Sequence, residues 1–103
     1  MNESDWKIFE QIKKQAIDRY CQDAFDEFTD IIAAGEQPIY ERYQALLKLV
    51  SRSDENMQLL FEGHSKGNAS YQLMGIRAEG LADEELLRLL SQEFLASTDP
   101  SEY

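Results

Sequence analysis

At 103 residues the chain is one domain's worth of sequence, enough to bury about 60–70% of the surface its unfolded form exposes. Hydrophobic content of 43%, with 11% aromatic residues, excludes a disordered chain. Twenty acids against ten bases give a net charge of −10. The negative field disfavours direct nucleic-acid binding and adhesion to anionic membranes.

The excess acid lies at the two ends. Residues 2–36 and 82–103 each carry a net −5, while residues 37–81 are neutral. A lone cysteine, Cys21, forms no internal disulfide. The stretch Met1-Asn2-Glu3-Ser4-Asp5 is acidic and polar, unlike the basic start of a signal peptide, and no apolar run reaches bilayer-spanning length. The expected setting is cytoplasmic.

The first element expected is a helix over residues 4–34. Phe9, Ile12, Ala16, Tyr20, Ala24, Phe28 and Ile31 step by three or four, with Ile17, Cys21, Phe25 and Ile32 alongside. That double row is a wide apolar stripe. Ser4 is the expected N-cap and Gly35 the left-handed residue that ends the helix.

Pro38 suits the first turn of a second helix over 38–62, in which Ile39, Tyr43, Leu46, Leu47 and Val50 continue the period. The polar run Ser51-Arg52-Ser53-Asp54 interrupts it, so residues 51–56 mark a kink or a break. Residues 63–68, with Gly63 and Gly67, read as a loop.

Asn68 is the expected cap of a third helix over 69–79, with a strand over Tyr71–Ile76 as the competing reading because Gly75 weakens a helix by about 1 kcal/mol. Gly80 ends the element. A fourth helix over 83–97 buries Leu86, Leu87, Leu90 and Phe94, widened by Leu89 and Leu95. Residues 98–103 form a frayed tail.

The architecture implied is all-α: a long antiparallel hairpin followed by two shorter helices. A first arm of about 45 Å exceeds the diameter, about 34 Å, of a compact chain this size. Its stripe also exceeds the cover that two short helices supply. Pairing two hairpins into a four-helix bundle answers both problems, so a homodimer is expected.

Catalytic patterns fail on their physics. Gly63-His64-Ser65-Lys66-Gly67 matches G-x-S-x-G, but that motif works only at a strand-to-helix corner with a histidine downstream. The only histidine, His64, lies inside it. The same loop offers a candidate anion site, His64, Lys66 and Asn68, without the spacing of a phosphate-binding loop. One histidine and one cysteine do not make a zinc site, and Asp54–Ser65 lacks the glycine and glutamate of a calcium loop. No cofactor is expected.

Asp23, Asp26, Glu27 and Asp30, spaced i, i+3, i+4, i+7, share one helical face. Their bland reading is a solvated surface. The functional reading is a contact for a basic partner, or a divalent-ion site completed by a dimer mate.

Two readings of function follow. The first is a small acidic non-enzymatic interaction or regulatory protein, contacting a protein partner or itself. The second is a helical bundle that binds a small molecule or anion near 63–68, with tyrosines lining the pocket.

Overall fold

A computed structural model describes all residues 1–103. The chain is all-α. In order come α1 (Glu3–Ala33), α2 (Ile39–Phe61), α3 (Lys66–Ala78), α4 (Glu84–Arg88) and α5 (Gln92–Ser97), then a single 3-10 turn over Pro100–Glu102. Tyr71–Ile76 is helical, so the strand reading fails.

Helices α1 and α2 run antiparallel, pinned at three levels. The Lys13 ammonium donates to the Gly63 carbonyl at 2.7 Å, and the Tyr20 hydroxyl donates to the Ser53 carbonyl at 2.7 Å. At the far end the Arg42 guanidinium donates to the Ile31 and Ile32 carbonyls. Those carbonyls belong to the last turn of α1, which has no basic residue of its own. Arg42 therefore supplies from α2 the cation that the negative helix end favours.

The molecule measures 53 × 23 × 22 Å with a radius of gyration of 16.6 Å, against about 13 Å for a compact chain of this length. The elongation has a plain cause. Helices α3, α4 and α5 all pack at one end, against the first half of α1 and the last turn of α2. Phe9, Ile12, Ala16, Leu73, Ile76 and Phe94 are central to the single buried cluster there. Between Ile17 and Leu59 no residue is fully buried. The hairpin projects beyond the core as a two-helix arm.

Several ends differ from expectation. Asn2, not Ser4, caps α1: its backbone is extended and its Oδ1 accepts from the Asp5 N–H at 2.7 Å. Gly35 does not adopt the left-handed conformation; only Gly63 and Gly80 do. Residues 51–56 stay helical without a break. Ser65 rather than Asn68 caps α3, accepting from the Asn68 N–H, and so starts that helix at Lys66.

The segment 83–97 is two short helices, because Ser91 turns extended and caps α5 through the Phe94 N–H. The tail does not fray. Tyr103 packs on Tyr71, ring centroids 5.1 Å apart, and Arg77 donates to the Leu95 and Thr98 carbonyls at 2.8 Å each.

Candidate functional site: the hairpin arm

The structure divides the apolar stripe of α1 by depth. Cys21, Ala24, Phe28 and Ile31 of α1 turn toward Leu46, Leu49, Ser53 and Met57 of α2 and are half-buried. The spacing is three and four residues, as a two-helix seam requires.

What the seam leaves over is apolar and exposed. Phe25 is 63% exposed, Ile39 81%, Tyr43 61% and Leu47 53%, with Ile32 and Val50 also open.

These residues share one side of the hairpin. A groove of about 180 Å³ is lined by Cys21, Phe25, Phe28, Val50 and Met57 with Asp54, and a second of about 160 Å³ nearer the tip by Ile31, Ile32, Ile39, Tyr43 and Leu46 with Arg42. The opposite side differs in chemistry. A cleft of about 280 Å³ there is lined by Asp23, Glu27, Arg52, Asn56 and Glu79. Tyr20, Ala24 and Ser53 line both this cleft and the first groove, so the two are opposite sides of one seam. The arm is two-faced, apolar on one side and acidic on the other.

All four residues of the sequence-derived acidic face are exposed. Asp23 and Glu27 line the polar cleft, while Asp26 accepts from the Gln22 side chain at 3.0 Å on the outer surface. Asp30 lies outside the cleft. No three carboxylate, histidine or cysteine groups converge in a way that would hold a metal ion.

The candidate anion loop is arranged differently from the sequence reading. His64 lies against Trp6, centroids 4.7 Å apart, and also stacks on Phe9. Its Nε2 is 3.2 Å from Glu10 Oε2 and its Nδ1 is 3.3 Å from Lys13 Nζ. An ammonium can only donate, so its contact needs Nδ1 as the acceptor, which leaves Nε2 to donate to Glu10. Lys66 pairs with Glu3 at 2.5 Å, and that contact holds the Glu3 carboxyl below its usual range. Asn68 contributes a backbone N–H to the Ser65 cap. Each of the three residues thus has an intrachain contact, and two face carboxylates.

Lys13 is the residue that sequence reasoning passed over. It stands 7% exposed among apolar neighbours, and burial pushes its ammonium below the usual lysine range. Its partners are the Gly63 carbonyl and His64, which fasten α1 to the end of α2. A lysine within the period of an apolar stripe, between Phe9 and Ala16, was the available signal.

No helix is long and apolar enough to cross a membrane. No protein-family model, no curated protein and no solved structure matches the chain.

Proposed function

We propose that the chain is a non-enzymatic interaction protein whose working surface is the apolar side of the hairpin arm. The observation that supports it most is the run from residue 17 to residue 59 without a fully buried side chain, although that run carries Phe25, Ile32, Ile39, Tyr43, Leu47 and Val50. Scattered exposed apolar residues are ordinary, but a contiguous strip along two parallel-lying helices is the usual mark of a docking surface. Its occupant is helical in this reading, a protein partner or a second copy giving a homodimer. The acidic side of the seam then remains in water for a basic partner, with salt-sensitive affinity.

The small-molecule reading draws less support. The arm's grooves are shallow and continuous rather than enclosed. The larger clefts include no residue of 63–68, and Tyr40, Tyr43 and Tyr71 point outward.

A photo-crosslinking residue placed in turn at Leu47 and at Leu59 tests the reading in intact cells. Leu59 is more open still, 83% against 53%, but lies on the far side of α2. Protein adducts at position 47 and not at 59 are expected. Equal labelling, or none at either position, sinks the proposal.

A further inference from the structure

The surface area of the chain is larger than its mass requires. A compact monomer of 11.9 kDa exposes about 6,000 Å². This chain exposes 7022 Å², roughly 1,000 Å² more than that expectation. A standard protein interface takes about 800 Å² from each partner. The excess is therefore about what one copy contributes to a stable dimer, and it accompanies the elongated 53 × 23 × 22 Å shape.

The chemistry of the arm narrows the partner. A chain of net charge −10 repels its own copy unless carboxylates are kept out of the contact. On α1 the outer edge of the apolar side runs Gln22, Phe25, Thr29, Ile32, and on α2 it runs Tyr40, Gln44, Leu47, Ser51. All are uncharged and all are exposed. Asp54, next along the α2 edge, lines the first groove and accepts from Gln58 at 2.9 Å, and the exposed Asp18 precedes Gln22 by one turn on the α1 edge. Asp23 and Glu27 face the opposite cleft. A basic partner would find Asp18 and Asp54 only at the end nearer the core, whereas along the rest of the arm a second acidic chain meets an edge without carboxylates and an apolar centre.

Geometry agrees. The α2 row Ile39, Tyr43, Leu46, Val50, Ser53, Met57 keeps the alternating four and three spacing of a coiled-coil seam; Leu46, Ser53 and Met57 lean on α1, while Ile39, Tyr43 and Val50 stay open beside them. Two hairpins stacked on such rows form a four-helix bundle, which buries both layers.

We infer that the occupant of the apolar side is a second copy of this chain, the two arms stacking face to face across a two-fold axis. The inference rests on the reading of that side as a docking surface and names its partner.

Light scattering in line with size exclusion, over a wide range of loading concentrations, tests it. The expected mass is twice 11.9 kDa, falling toward one chain only on strong dilution. Phe25→Asp and Leu47→Asp each place two unpaired carboxylates in a two-fold interface. Each should raise the dimer dissociation constant by about 100-fold or more while circular dichroism keeps its helical signal. Leu89→Asp changes an equally exposed leucine outside the arm and should leave the dimer intact.

A monomer at every concentration overturns the inference, as does a dimer that ignores both arm variants and yields to Leu89→Asp. Crosslinking at position 47 separates that failure from failure of the docking reading. Adducts to a different protein retain the surface and remove self-pairing, while no adduct removes both.

Discussion

Tyr103 lies directly over Gly75. A Cβ built on Gly75 would stand 2.9 Å from the Tyr103 ring and 2.8 Å from Leu60 Cδ1, closer than real side chains approach. The glycine that weakens α3 on propensity alone is the place where the C-terminal residue and the end of α2 meet it. Alanine at an unconstrained helix position would gain about 1 kcal/mol. Here overpacking dominates, and Gly75→Ala should destabilise by about 1–3 kcal/mol in urea unfolding. Deleting Tyr103 in the same chain should recover part of that loss, because Leu60 alone has a flexible end to move. Additive effects of the two changes would refute the contact.

Tyr103 and Lys13 oppose each other in alkaline solution. Burial pushes the Lys13 ammonium down, so between its lowered pKa and the free value of about 10.4 the folded chain binds fewer protons than the unfolded one. Stability contributed through Lys13 rises with pH across that window. Burial, then the Tyr71 hydroxyl beside it, pushes the Tyr103 phenol up. Its contribution is complete below about pH 10 and is lost as pH climbs through the raised value. The urea midpoint of Tyr103→Phe should therefore rise with pH where Lys13 titrates. The midpoint of Lys13→Met should only fall. The slope is the readout, since Lys13→Met also removes the bond to Gly63.

The Asp5 carboxylate joins residues 86 positions apart. It is 3% exposed and accepts from the Ser91 N–H at 2.8 Å and the Ser91 hydroxyl at 2.6 Å. Ser91 in turn caps α5, so Asp5 fixes the turn that divides the fourth expected helix. Asp5→Ala leaves a part-buried N–H without its acceptor and should cost about 1–3 kcal/mol. In a double-mutant cycle with Ser91→Ala the two changes should couple by about 0.5–3 kcal/mol. Independent effects would place Asp5's role elsewhere.

How much of this was legible follows from the range of each interaction. The helices themselves, and the stripe through Phe9, Ile12 and Ala16, are written locally as apolar period, and the sequence reading finds them. Caps are local too, but several residues compete for each. Asn2 competes with Ser4, and Ser65 with Asn68; the winner is the one whose backbone goes extended, which pattern alone does not reveal. Gly35 shows the same limit, because Arg42 rather than a left-handed glycine satisfies the end of α1.

The tail, the division at Ser91 and the role of Lys13 depend on contacts with residues far away in sequence. No window of the chain contains them. For the candidate site, the surplus stripe was legible as a quantity. Its division into a half-buried seam and an exposed side appears only when α2 is placed beside α1.

Backbone protection should vary along α1 as burial does. Its buried residues stop at Ala16, and those of α2 begin at Leu60. Amides near Phe9–Ala16 and in α3 sit in the core and should exchange hydrogen only by global unfolding. Amides from about residue 25 to residue 47 lie in a two-helix arm with one apolar side open, and should exchange by local opening in dilute solution.

Binding that covers the arm slows both groups, because local opening of the arm and global unfolding each break the contact, and a ligand stabilises the states it binds in proportion to occupancy. Raising the concentration of the chain itself should slow exchange at the tip, and the core rates with it, because global unfolding also separates the pair. Exchange at the tip that is slow and independent of concentration would mean that the arm is stable without any partner, and the surplus apolar side would need another explanation.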